Sequence, residues 1–274
     1  MKKFGFTLAE VLITLGIIGV VAALTAPALV MQSRNEANAA RLAVAVSHLE
    51  NAFTTAIATE NVTGLSKTSF YVSSVGSETD EETGEKTEYL KEDNIKKFAG
   101  NLKKYLHLSD FSTETMKTFY GKYSKTPCFM DKNGAKGIVA RRQEAYFPVM
   151  LKNGAIAFFQ LNIVKKAADG GTKLTNQQIR DMGGGLYKGV GFCVIDVNGI
   201  NEPNIAGRDM FMFMIGDNGI LYPYGGTDVS LYTSGTTSHR WDQSGSHMIC
   251  TDSDKSGSPG CTARVIEEGW KINY

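Results

Sequence analysis

Glu10 is the carboxylate that most needs a chemical explanation, because it alone interrupts an apolar and small-residue run from Phe6 to Met31. A carboxylate inside a membrane helix costs about 2.5–3.5 kcal/mol on insertion scales, and such groups are generally functional. Just before it, Gly5-Phe6 forms a small-residue boundary behind a basic head that holds Lys2 and Lys3. Cleavage there would remove the charged head, leave the apolar run on the mature chain and give Phe6 a new α-ammonium group. Glu10 then lies one helical turn from that amine. In a packed array of such helices it can neutralise the amine of a neighbour. The competing use is a carboxylate that rests at the interface or reaches to the headgroups.

A second concentration of chemistry lies in residues 196–209, which hold Asp196, Asn198, Asn201, Glu202, Asn204 and Asp209. Calcium takes about six to eight oxygen ligands from a flexible loop. A Ca²⁺ site built on Asp196, Asn198 and Asp209 is therefore one expectation, and plain turn formation by Asp and Asn is the other. The loop is not an EF-hand: Gly199 comes too early, and residue 207 is glycine rather than glutamate. Asp252-Ser253-Asp254-Lys255-Ser256-Gly257 also opens like an EF-hand, but Ala263 stands where the closing glutamate belongs.

The remaining reactive groups point away from catalysis. There is no P-loop, HExxH or GxSxG pattern, and there are only four histidines. Met210, Met212 and Met214 alternate as strand-packing residues do. The four cysteines are Cys128, Cys193, Cys250 and Cys261. An even number suits disulfides in an oxidising compartment, with three pairings open. The preferred one closes the glycine- and serine-rich loop Cys250–Cys261, with Cys128–Cys193 stapling the sheet. Zinc on His239, His247, Cys250 and Cys261 matches no zinc spacing.

The elements that must position these groups begin with the apolar run. Val11 to Met31 carries no charge and spans about 30 Å as a helix, the thickness of a hydrocarbon core. A signal peptide would have a shorter core followed by its cleavage site. Pro27 removes one helical hydrogen bond, so a bend near Ala23–Pro27 is expected. Beyond Met31 the chain turns polar. Leu42, Val46, Leu49, Phe53 and Ile57 then form one apolar stripe with Arg41, His48, Glu50 and Asn51 largely off it. One helix from Phe6 to about Thr59, roughly 80 Å long, is predicted.

Residues 76–93 are acidic and read as a solvated loop. Asp93 is placed to cap a second helix over 94–107, with Ile95, Phe98, Leu102 and Leu106 on its apolar face. The stretch 94–142 is lysine-rich with interleaved tyrosines. Solvated lysine faces are commoner than nucleic-acid surfaces and the net charge is only +1, so DNA is not an expected partner. From 145 the signals are those of strands. One hairpin turns on Asn153-Gly154, a strand covers 191–197, and a second hairpin turns on Asp217-Asn218-Gly219. The fold class expected is α+β, a long N-terminal helix packed on an antiparallel sheet.

The segment Gly5-Phe6-Thr7-Leu8-Ala9-Glu10-Val11-Leu12-Ile13 resembles the N-terminal signature of type IV pilins and type II secretion pseudopilins. The resemblance covers residues 1–31. It implies a pilin-like fold, cleavage after Gly5 by a prepilin peptidase and N-methylation of Phe6. It also implies assembly with other pilin or pseudopilin subunits, with Glu10 meeting a neighbour's amine, over an assembly platform in the bacterial inner membrane. Pro27 is similar to a helix-bending proline of such proteins, and Cys250–Cys261 to their C-terminal disulfide-bounded loop.

The implied organisation is a leader at 1–5, a membrane and filament-core helix at 6–31, its amphipathic continuation at 32–59 and a head at 60–274. The implied location is the inner membrane with a periplasmic head, then a periplasmic pseudopilus or a surface filament. A single-span binding protein that never polymerises is the alternative.

Overall fold

The computed structural model describes residues 7–69, 71, 75–79, 86–90, 100–106, 147–161, 189–199, 201, 204–226, 241, 250, 258 and 260–273. Its first element, α1, is one continuous helix over Leu8–Thr59, 52 residues or about 78 Å long. Its character changes along its length. Every residue from Thr7 to Arg34 is exposed. Beyond that, Ala39, Leu42, Ala45, Val46, Leu49, Ala52, Phe53 and Ala56 are buried at helical spacing. The expected stripe is thus present, with alanines between the large residues that let the helix approach the sheet closely.

The expected hairpins form with the expected turns. Strands β3 (Phe147–Met150), β4 (Ile156–Leu161), β5 (Gly189–Asp196), β6 (Met210–Gly216) and β7 (Leu221–Pro223) make a five-stranded sheet in that order. Every neighbouring pair is antiparallel. Gly154 (φ 85°) and Gly219 (φ 84°) take the left-handed conformation their tight turns require. Ala157, Phe159, Cys193, Ile195, Phe211, Phe213 and Ile215 join the α1 stripe in one hydrophobic core. Phe53 meets Phe159 edge-on, with ring centroids 6.2 Å apart.

The sheet is buried on its other face too. Met210, Met212 and Met214 are all buried, as strand packing requires. A short helix, α2 (Cys261–Glu267), lies against β6 and β7. Its Thr262 hydroxyl accepts the N–H of Met212 at 3.0 Å, and its Ala263 N–H donates to the Tyr224 carbonyl at 3.1 Å.

Two sequence expectations change. Residues 76–93 are not simply a solvated loop: β1 (Val75–Thr79) and β2 (Lys86–Leu90) pair antiparallel as a separate two-stranded sheet. Backbone pairing needs no apolar residues, so the acidic composition hid it. Of the second helix expected over 94–107, a helical turn is seen at 100–102, followed by turns to Leu106. Leu102 and Leu106 are buried as expected, whereas Ile95 and Phe98 lie outside the described residues.

Candidate functional site

Gly5 and Phe6 lie outside the described residues, so the site is built from Thr7 onward. Thr7 is the N-cap of α1 in an extended conformation (φ −77°, ψ 152°). Its hydroxyl accepts the Glu10 N–H at 3.3 Å. In return the Glu10 carboxylate accepts the Thr7 N–H and the Thr7 hydroxyl, each at 2.8 Å. This is a capping box, which satisfies donors that a helix start would otherwise leave open. In the single chain, Glu10 is therefore occupied by its own N-cap and turned back towards the end of the chain that carries Phe6. The spacing Thr7-Leu8-Ala9-Glu10 carries the signal for this contact, which the reading of Glu10 as a lone membrane carboxylate passed over.

Among the described residues, nothing covers the surface around Glu10. Leu8, Leu12, Ile13, Leu15, Ile17, Ile18, Val20, Leu24 and Leu29 are each at least 60% exposed. A helix that is apolar all round is stable only when something apolar surrounds it. By length and composition α1 is able to cross a membrane. Pro27 sits inside the uninterrupted helix, where its missing N–H leaves the Ala23 carbonyl without its usual donor. Two residues earlier, the Thr25 hydroxyl donates to the Val21 carbonyl at 2.9 Å.

The structure brings Asp196, Asn198 and Asp209 together, but as a clasp. Asp209 is buried, and its carboxylate accepts the N–H of Asn204 at 3.0 Å, the N–H of Ile205, and the Asn198 side-chain amide at 3.2 Å. Burial pushes the Asp209 carboxyl up to about 6, against the opposing pull of those N–H groups. Asp196 accepts the Asn198 N–H at 3.2 Å. With its amide oriented to suit its neighbours, Asn204 donates to the Asn201 carbonyl at 3.0 Å and to Asp196 at 3.2 Å.

Asn204 holds a left-handed conformation (φ 52°) that aims the backbone at the carboxylate. N–H hydrogens thus take the lone-pair directions that a cation would need. Calcium would have to displace the donors on Asp209, while the Asn198 side-chain oxygen is buried without a hydrogen-bond partner among the described residues.

The cysteines divide. Cys250 and Cys261 form the expected bridge, with Cα atoms 5.1 Å apart. Cys193 does not pair with Cys128: it is a free, fully buried thiol, and Cys128 lies outside the described residues. β5 is the central strand, and Cys193 lies opposite Phe159 and Phe213 on the face towards α1. Burial there pushes its thiol up.

Around the bridge, Arg264 organises contacts that sequence reading did not anticipate. Its guanidinium donates to the Cys250 carbonyl at 3.0 Å and pairs with Glu268 at 2.8 Å. It also lies 5.3 Å from the centre of the Trp241 ring. Trp241 in turn donates its indole N–H to Glu267 at 2.9 Å.

Comparison with known proteins places one feature. No curated protein and no solved structure matches the chain. Residues 1–26 match the model of the prokaryotic N-terminal methylation motif. The matched stretch contains Gly5, Phe6, the Thr7–Glu10 box and most of the exposed apolar helix. The chain thus bears the N-terminal hallmark of type IV pilins and pseudopilins, on an α+β, pilin-like arrangement of long helix and antiparallel sheet.

Proposed function

We propose that this protein is a filament subunit, of a type IV pilus-like filament or of a type II secretion pseudopilus. In this reading a prepilin peptidase cuts after Gly5 and Phe6 is N-methylated. The protein works as a structural subunit rather than as an enzyme. One observation carries the reading: a carboxylate, Glu10, stands at the start of a helix whose apolar surface the chain's own fold leaves wholly uncovered from Thr7 to Arg34. Membrane lipid covers that surface before assembly, and the helices of other subunits cover it afterwards.

The mechanism is physical. Lys2 and Lys3 hold the leader on the cytoplasmic side by the positive-inside rule. Cleavage frees the Phe6 amine, and Glu10 exchanges its Thr7 contacts for the amine of an adjacent subunit. The head remains in the periplasm or reaches the cell surface with the filament. The polar contacts of the head are then available to other subunits, and the assembly platform of the inner membrane is the remaining partner.

In-cell cross-linking tests this. Wild type should give a ladder of multimers, and Glu10→Gln should be processed normally yet lose the ladder. An identical ladder in Glu10→Gln would remove the assembly role. No ladder in either would favour a membrane-anchored binding protein that does not polymerise.

A further inference from the structure

The C-terminal segment returns to α1 at a height that the anchor itself defines. The apolar run ends at Met31, and the first exposed charge after it is Arg34. Asn35 donates its side-chain amide to the Ile272 carbonyl at 3.1 Å. Asn35 lies four residues past Met31, about 6 Å further along the helix axis. The polar headgroup layer on each side of a bilayer is about 5–7 Å deep. Ile272 and its neighbours therefore sit within that layer when residues 8–31 span the membrane.

The route of the chain to this position is strained. After α2, Gly269 (φ 77°) and Trp270 (φ 61°) both take the left-handed conformation. For glycine this is ordinary, but for a bulky aromatic residue it is an outlier. The Lys271 N–H, donating to the Val265 carbonyl at 3.2 Å, ties the reversed chain back to α2. Trp270 is half-buried: part of its ring packs on the hydrophobic core, and the rest is open. Lys271 beside it is exposed, as is Arg34 on the helix. Of the nearby acidic groups, Glu36 accepts the Gln32 amide at 3.0 Å, and Glu268 is paired with Arg264.

An indole with one apolar side and one wet side, next to exposed cationic chains, suits the membrane–water interface, where tryptophan is enriched and lysine reaches the phosphates. We infer that the segment Gly269–Asn273 is a membrane-surface contact: in the membrane-resident subunit, Trp270 and Lys271 rest among phospholipid headgroups and seat the head on the bilayer. The contact is continuous with the anchor and would have to be released when a subunit leaves the membrane for a filament. The inference rests on the reading of residues 8–31 as a membrane span.

The test uses the full chain in phosphatidylcholine–phosphatidylglycerol vesicles, with and without acyl chains brominated near the headgroup, and reads tryptophan emission. The chain has two tryptophans. Wild type and Trp241→Phe, which keeps Trp270 alone, should both lose emission in brominated vesicles, and Trp270→Phe should not. Equal emission of Trp241→Phe in the two kinds of vesicle overturns the inference. Leu24→Trp in a Trp270→Phe background reports on the anchor. Quenching there without quenching of Trp270 removes the surface contact alone, whereas no quenching at either position removes the membrane span with it.

Discussion

The carboxylate of Glu50, midway along the docked half of α1, accepts the backbone N–H of Leu221 at the start of β7, at 2.9 Å. The two residues are 171 positions apart in sequence. With the amides of Asn35 on the Ile272 carbonyl and Asn38 on the Arg208 carbonyl, this bond fixes the helix to the head at three heights. An apolar stripe alone sets which face docks. Polar pins set how far along and at what rotation. The proposed filament role needs that rigidity, because any force on the helix must reach the head.

Removing the Glu50 acceptor should therefore be costly. Glu50→Ala leaves the Leu221 N–H half-buried and unpaired, so we expect a loss of about 1–3 kcal/mol in chemical denaturation. Glu50→Gln keeps an oxygen and should cost clearly less. Equal losses in the two variants would mean that packing, not the hydrogen bond, is what Glu50 contributes.

The same residue gives a pH dependence. Burial raises the Glu50 carboxyl, with the Leu221 N–H opposing. A carboxyl raised in the folded state stabilises most below its unfolded value and loses that contribution as pH rises through the folded value. Asp209, raised to about 6, acts in the same direction. Melting curves should show Glu50→Gln at its worst relative to wild type below about pH 4, with the gap narrowing as pH rises above the ordinary carboxyl range. A gap that widens with rising pH would contradict the burial of Glu50.

The loop clasp makes a prediction about metal. Asp209 is filled by N–H donors, so EDTA should leave the melting temperature unchanged, while Asp209→Ala should lower stability by about 2 kcal/mol or more through three lost acceptor contacts. A fall in melting temperature with EDTA, restored by Ca²⁺, would bring Asp196, Asn198 and Asp209 back as ligands.

Thiol labelling separates the cysteines. In denaturant without reductant, Cys193 should be alkylated, while Cys250 and Cys261 should react only after reduction. Losing their bridge should cost about 3 kcal/mol in the chain-entropy model for a loop of this size. Protection of Cys193 in the unfolded, unreduced chain would show that it is bridged after all.

Close packing of the second hairpin against the helix can also be tested. A Cβ on Gly219 would lie 3.2 Å from the Cβ of Phe53 and from the Thr54 backbone nitrogen, at φ 84°. Next to it, the Asp217 carboxylate accepts the Ser66 N–H at 2.7 Å. Gly219→Ala should therefore destabilise by about 1 kcal/mol or more, through backbone conformation and contact together. A neutral effect would mean that the turn stands off the helix.

Much of this architecture was legible because periodicity and turn chemistry agree locally. The spacing of Leu42, Val46, Leu49 and Phe53 gave the docked face, and Asn153-Gly154 and Asp217-Asn218-Gly219 marked both hairpins. The signals failed where backbone geometry or tertiary context decides. Helix α2 has Gly260 as its N-cap with no capping side chain, so nothing in the sequence announced its start. Cys193 looked like half of a bridge because a count of cysteines says nothing about strand register. In the oxygen-rich loop, composition did not reveal that Asn204 and Ile205 aim their N–H groups at Asp209. The bond between Glu10 and Thr7 was legible only as the three-residue spacing of a capping box.

Maturation at Gly5-Phe6, the step on which the proposed filament role depends, is tested by intact mass spectrometry of the protein from its native membrane. The expected product is a chain lacking residues 1–5 and heavier by about 14 Da, for one methyl group on the Phe6 amine. A full-length chain, or one cut on the far side of the apolar run, would contradict it.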